Sequence, residues 1–239
     1  MLYKTWHLAI MDKFNLLNGT IPLILRDGTQ YLIRARLNDI GKISSIYIRK
    51  EYDRYIDKIR DNAIVIDIGA HIGVFSIYAQ RLAKNVIVYS YEPFDESFGL
   101  LQNNIRINKL ERGIYAFNIG VGARRGIRKL FIDRRNLGGN SMFYETEEYV
   151  QIDTVSLKDV FDENNIKICD FLKMDCEGAE YEILFNTPRE YIDRIMSITM
   201  EYHDNGDWNE LKRFLTVNEF EVILKEGDHL LYASRGCHS

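Results

Sequence analysis

Apolar residues along this chain fall into short runs that switch between two periods. Ile64–Ile68 (IVIDI) is continuous and brief, as in a strand covered on both faces. Phe75–Ala83 (FSIYAQRLA) then follows a helical spacing. The same alternation repeats down the chain. Strand Val86–Tyr91 leads to helix Glu96–Asn108, and strand Gly113–Ile119 enters an irregular stretch with hairpin strands at Arg128–Asp133 and Tyr149–Ile152. Helix Leu157–Asn164, strand Asp170–Met174, helix Ala179–Phe185, strand Ile195–Glu201 and helix Trp208–Val217 come next. Phe220–Lys225 and His229–Ser234, split by Glu226-Gly227-Asp228, read as a closing hairpin. The pattern predicts an α/β fold: a doubly wound, mostly parallel seven-stranded sheet with a C-terminal antiparallel hairpin. A ligand in such a fold lies beyond the carboxyl ends of the strands.

The first sixty residues differ in character. Ile21–Leu25 and Tyr31–Ala35 flank Asp27-Gly28, a hairpin signature, and helical turns follow near residues 38–43 and 49–60. We therefore expect residues 1–60 to form an N-terminal cap packed on a ligand-binding domain of residues 61–239.

Candidate chemistry begins where the first core strand ends. In IVIDIGAHIG, Asp67 closes the strand, and Gly69 and Gly73 bracket a turn into a helix. Glycine lets a ligand approach the backbone, and a helix start offers unpaired N–H groups. The dinucleotide fingerprint G-x-G-x-x-G lacks its middle glycine, and Val74 stands where a phosphate-loop lysine would follow. Both phosphate readings are weakened, while the acid before the first glycine suits a cofactor with positive charge. Glu92, roughly 20 residues on, ends the second strand against Pro93, where a doubly wound sheet reads ribose hydroxyls.

Later strand ends face the same edge. Asn118 offers donor and acceptor, suiting either an adenine edge or a plain turn. Asp175 and Glu177 flank the fourth strand's exit and are candidates for catalysis; Glu180 and Glu182 read as helix-start acids. Glu201 and His203 stand at the tip of the fifth strand, where His203 is a candidate general base or a bystander. No short metal-ligand motif connects these groups, and no metal is expected.

Composition narrows the class. The 239 residues are 46% hydrophobic and 28% charged, ordinary for a globular protein. A net charge of −4 gives no reason to expect nucleic acid as partner. Arg124, Arg125, Arg128, Arg134 and Arg135 gather in one stretch, read as a solvated loop or as a wall for an acceptor. No apolar run approaches the ~20 residues of a membrane span, and the start has no long signal-like apolar region. Cys169, Cys176 and Cys237 form no C-x-x-C pair and are odd in number, which points to a reducing, cytoplasmic setting.

Taken together, IDIGAHIGVFS, YSYEP, NNIRINKL, VQIDTVSLKDV and DFLKMDCEGAE resemble the FkbM-type family of S-adenosylmethionine-dependent methyltransferases, within the class I methyltransferase fold. LRDGTQYLIR and Glu51-Tyr52 also look like that family. The resemblance implies that Asp67, Gly69 and Gly73 hold the methionine end of S-adenosylmethionine, that Glu92 binds its ribose, and that Asn118 lies near its adenine. His71 belongs to the same turn and departs from the family's usual Asn. The implied reaction is methyl transfer to a hydroxyl of a small molecule or glycan, with Asp175, Glu177 and His203 as candidate bases. A nicotinamide-dependent oxidoreductase and a non-catalytic cofactor-binding module are the alternatives.

Overall fold

The computed structural model describes residues 2–134, 137–225, 227 and 229–236. Arg135, Cys237 and the hairpin residues Glu226 and Asp228 lie outside the described residues. Among those described, the strands are β1 (Thr20–Ile24), β2 (Gln30–Arg34), β3 (Ile64–Ile68), β4 (Ile87–Tyr91), β5 (Ile114–Phe117), β6 (Gly120–Gly122), β7 (Gly126–Phe131), β8 (Tyr149–Ser156), β9 (Phe171–Met174), β10 (Ser197–Glu201), β11 (Glu221–Lys225) and β12 (Leu230–Ser234). The helices are α1 (Trp6–Lys13), α2 (Asp39–Ser44), α3 (Val74–Gln80), α4 (Asp95–Ile107), α5 (Leu157–Glu163), α6 (Glu180–Phe185), α7 (Arg189–Ile192) and α8 (Trp208–Val217).

Seven strands form the central sheet in the order β11-β12-β10-β9-β3-β4-β5. β5, β4, β3, β9 and β10 run parallel, and β12 is antiparallel to both β10 and β11. This is the doubly wound sheet the hydrophobic pattern predicts. The closing hairpin is placed differently from a simple edge addition: β12 inserts between β10 and β11. Chain order reverses between β3, which leads outward to β4, and β9 on its other side. A crevice opens at such a switch point, above the carboxyl ends of β3 and β9.

Both faces of the sheet are covered, which is why its central strands are apolar at successive positions. On one face, α5, α6 and α8 bury Leu157, Phe161, Leu184, Leu211 and Leu215 against Ile66, Met174 and Met200. On the other, Phe75, Ile77 and Leu101 pack with Val65 and Val88, and Leu23, Tyr31 and Ile33 of the N-terminal hairpin join the same cluster. The first sixty residues thus complete that core face. A helix of WHLAIMDK begins the chain, and a wide-turn helical segment, Ser45–Arg49, prolongs α2. The pattern of apolar positions had signalled neither.

The expected strand Gly113–Ile119 divides. β5 ends at Phe117, and after Asn118 and Ile119 the chain leaves the sheet as β6, which pairs with β8 in a small separate sheet, β6-β8-β7. α5 starts from a reciprocal cap: Asp159 N donates to Ser156 Oγ at 3.1 Å, and Ser156 N donates to Asp159 Oδ2 at 2.9 Å. No helix among the described residues is long and apolar enough to cross a membrane.

Candidate active site

The turn after β3 is pinned before any ligand arrives. Gly69 N and Ala70 N both donate to the carbonyl of Tyr91, each at 3.0 Å. Gly69 has φ +75°, and a Cβ there would lie 1.8 Å from the carbonyl oxygen of Asp175. The two strand ends therefore meet backbone to backbone at the switch point, an approach only glycine permits. His71 also sits in the left-handed region, at φ 52°, which costs a non-glycine residue about 1 kcal/mol or more. Its N–H donates to Glu92 Oε2 at 2.8 Å, so the strained position is held from β4.

Asp67 lies under this turn rather than in the cleft. Its side chain is fully buried; Ser76 Oγ donates to Oδ2 at 2.6 Å and Lys173 Nζ stands 3.2 Å from Oδ1. Lys173, itself buried on β9, donates on to Gly69 O at 2.7 Å. Burial pulls the lysine's pKa down, but Asp67 and Asp175 more than offset it, so the ammonium is held charged. Asp67 does not line the cleft: one oxygen accepts from Ser76 and the other faces the Lys173 ammonium, so it supports the turn from beneath.

His71 is fixed from the N-terminal unit. Arg34, at the end of β2, grips Asp39 with Nε at 3.1 Å from Oδ2 and Nη2 at 2.9 Å from Oδ1. The same Nη2 lies 2.5 Å from His71 Nε2. A guanidinium can only donate, so Nε2 is the acceptor and the neutral ring's proton is assigned to Nδ1. Burial drives the His71 pKa down to about 3; Asp39 opposes this, while Arg34 and Lys42 reinforce it. Nδ1 is buried and has no hydrogen-bond partner. A neutral donor is therefore left unpaired in a residue that lines the cleft.

Glu92 lines the same cleft and is anchored by its own turn: Phe94 N donates to Oε1 at 2.9 Å and His71 N to Oε2. Burial lifts its pKa to about 7 against the pull of those two N–H donors. A carboxylate has about four acceptor sites, so capacity for two hydroxyl donors remains. Asn118 is exposed and donates to Asp95 Oδ1, away from the cleft. The kink that ends β5 carries it outward and brings in Gly120 and Val121, which join Leu130 and Met142 as cleft wall. Asn118, expected near the adenine, is therefore absent from the cleft wall. The space within the cleft and its open mouth is about 870 Å³.

The acids beyond β9 and β10 form a charge-compensated group. Asp175 Oδ2 accepts from Lys42 Nζ and from Tyr52 OH, each at 3.1 Å. Burial raises the Asp175 pKa, but Lys42 and Lys173 outweigh it and hold the carboxyl well below its usual range. Its other oxygen, Oδ1, is buried without a partner. His203 lies between two carboxylates, with Nε2 3.0 Å from Glu177 Oε2 and Nδ1 3.2 Å from Glu180 Oε1. Burial lowers its pKa, yet the two acids override this and raise it to about 11. His203 thus bridges two carboxylates rather than standing free to accept a proton, which argues against the general-base expectation. Asp175, Glu177 and His203 each offer a ligand atom within 4.8 Å of the others. Lys42, Lys173 and the His203 proton already supply positive charge there.

Lys42, Tyr52, Arg34 and Lys173 escape sequence reading. The first three come from the N-terminal unit, 133 and 123 residues from Asp175 in the case of Lys42 and Tyr52. Glu51-Tyr52 and the Arg34 segment carry family likeness, which was the available signal. The Arg-rich stretch is mostly ion-paired at the surface: Arg125 with Glu163, Arg128 with Glu182 and Arg134 with Glu148. Cys169 and Cys176 are free thiols.

Comparison with known proteins identifies the family. The profile of the methyltransferase FkbM domain matches residues 67–228, more than half of the chain. The chain belongs to the FkbM methyltransferase family. Methyltransferase 1 of Beauveria bassiana is 28% identical over 221 residues, covering 80% of this chain and 87% of the relative. The 31-O-demethyl-FK506 methyltransferase FkbM of Streptomyces tacrolimicus is 23% identical, covering 91% and 92%. The crystal structure of methyltransferase FkbM from Methylobacillus flagellatus shares the fold, with a TM-score of 0.54 and 20% identity over 80% of this chain and 47% of that chain. FkbM membership also sets methyl transfer ahead of a nicotinamide-dependent oxidation.

Proposed function

We propose that this FkbM methyltransferase uses S-adenosylmethionine to methylate a hydroxyl oxygen of a small molecule or glycan. The observation that carries the cofactor reading is that residues lining one cleft leave buried polar atoms unpartnered, Asn140 Nδ2 among them and, next to the glycine turn, the pair His71 Nδ1 and Asp175 Oδ1. Of that pair, one is a donor and the other an acceptor. An amino-acid end, with its carboxylate and ammonium, presents the complementary groups. Asp175 is held ionised by its lysines and suits the ammonium. His71, held neutral, donates to the carboxylate. The backbone contact at Gly69 leaves the cradle free of a Cβ, and Glu92 retains acceptor capacity for ribose hydroxyls. The apolar wall of Val121, Leu130 and Met142 suits a base. When bound, S-adenosylmethionine supplies a sulfonium-activated methyl group. The protein's contribution is to fix that group beside the acceptor and exclude water, an effect worth several kcal/mol.

Titration calorimetry tests the cofactor. S-adenosylmethionine should bind the native chain, and Glu92→Ala should weaken it by tenfold or more. Absence of binding to the native chain refutes the proposal. Methyl-labelled S-adenosylmethionine incubated with cell extract and the enzyme should label a small molecule or glycan. Label on nucleic acid instead, or cofactor binding with no label transferred, refutes the stated reaction.

A further inference from the structure

A second chamber adjoins the cofactor cleft and shares Lys42, Ser45 and Glu51 with it. It measures about 920 Å³ with its mouth included. Its wall is made by Asn38, Lys42, Arg49, Glu51, Glu201 and Lys225, with Leu230 its one apolar side chain among the described residues. Glu201 is the last residue of β10. Met200 pairs with Met174 in the parallel register of β10 and β9. Glu201 therefore stands beside Asp175, about 5 Å across adjacent strands, one strand farther from the glycine turn.

We propose that this chamber holds the methyl acceptor, that the acceptor is a polyhydroxylated, saccharide-like compound, and that Glu201 takes the proton from its reacting hydroxyl. The inference rests on the cofactor reading above, which sets the cofactor's amino-acid end at Asp175, the residue beside Glu201. The lining decides the class of acceptor. Carboxylates at Glu51 and Glu201 accept from hydroxyls; Lys42, Arg49 and Lys225 donate to them; the Asn38 amide does both. Arg49 already pairs with Glu51 and Lys42 with Asp175; hydroxyls can join these charge-assisted bonds, whereas an apolar alcohol would displace water from them and return little.

Geometry and ionisation separate Glu201 from its neighbours. Asp175 is tied to Lys42 and Tyr52, and Glu177 to protonated His203. Burial and the adjacent Asp175 raise the Glu201 pKa to about 7; Lys42 and His203 lower it, and Glu177 raises it further. Arg49, Glu51 and Lys225 line the same chamber. A carboxylate that titrates near neutrality is suited to general-base work. The hydroxyl proton moves to a Glu201 oxygen, and the hydroxyl oxygen's electron pair forms the new carbon–oxygen bond. The carbon–sulfur bond breaks with its pair left on sulfur, giving a methyl ether, S-adenosylhomocysteine and protonated Glu201.

The experiment presents methyl-labelled S-adenosylmethionine and the full chain with two probe sets: methyl glycosides with inositol, and cyclohexanol with a fatty alcohol. Label should appear on a member of the first set. Turnover should rise with pH through about 7, and Glu201→Gln should lower it about 10²–10³-fold and abolish that rise, with cofactor affinity in calorimetry within twofold of native. Label on the apolar alcohols, or on neither set while the cofactor still binds, overturns the acceptor assignment. Retention of the native pH profile in Glu201→Gln overturns the base assignment. Loss of S-adenosylmethionine binding in the native chain is the separate result that removes the cofactor reading, and this inference with it.

Discussion

Lys173 is the group on which the glycine turn and the acid cluster both depend, and Lys173→Met tests that dependence. The side chain is 3% exposed, Asp67 is 0% exposed, and their charged atoms lie 3.2 Å apart. Methionine keeps most of the volume but leaves the Asp67 carboxylate with only the Ser76 hydroxyl. Breaking one side of a buried ion pair costs about 3–5 kcal/mol, and the donated bond to Gly69 O is lost as well. A domain of ordinary stability holds about 5–15 kcal/mol, so the variant should fold but unfold at a markedly lower urea concentration, with an unchanged denaturant slope. Lys173→Met with Asp67→Asn removes both charges. It should be more stable than the sum of the single effects predicts, by about 1–3 kcal/mol. S-adenosylmethionine binding should weaken in Lys173→Met, because the turn's carbonyl anchor is gone. A cost below about 1 kcal/mol, or strictly additive single and double variants, would refute the view that this pair supports the turn.

Other expectations follow from the same geometry. Gly69→Ala places a methyl group 1.8 Å from the Asp175 carbonyl oxygen at φ +75°; calorimetry should show cofactor binding lost, and a native-like affinity would contradict the close strand-end contact. His71 is neutral when folded, with its pKa depressed to about 3 from 6.5. The stability it confers is full above pH 6.5 and is lost as pH falls towards 3, at up to about 1.4 kcal/mol per pH unit. His71→Asn should flatten that limb of a melting-temperature profile. His203 has the opposite sign: its folded pKa is raised to about 11. Its contribution is full below pH 6.5 and is lost as pH rises towards 11, so His203→Gln should remove part of the alkaline decline in melting temperature.

The pattern of apolar runs was enough to place the core strands and most helices, because a strand covered on both faces has few residue choices. Ile64–Ile68 lies where its run predicts. The glycine spacing, with Glu92 after it, was enough to locate the turn and to weaken the pyrophosphate reading. The FkbM motifs carried the chemistry further than spacing alone could. Single positions were less legible. Asn118 looked equivalent to its neighbours until the kink after β5 turned it outward, and Asp67 looked like a ligand-facing acid until Lys173 was found beneath the turn.

The sequence by itself determined the alternation of elements, the buried β3, the glycine turn and the family. These depend on residues near one another along the chain, where period, turn geometry and motif spacing act directly. Tertiary structure alone decided the ionisation of the site. His71 is neutral because the fold buries it, with Arg34 and Lys42 of the N-terminal unit reinforcing the effect, and His203 is charged because Glu177 and Glu180 enclose it. It also decided that β12 enters the sheet between β10 and β11, and that Glu201 faces a polar chamber beside the cofactor cleft. A charge's state is set by what surrounds it in space, and those partners lie up to 133 residues away in the chain.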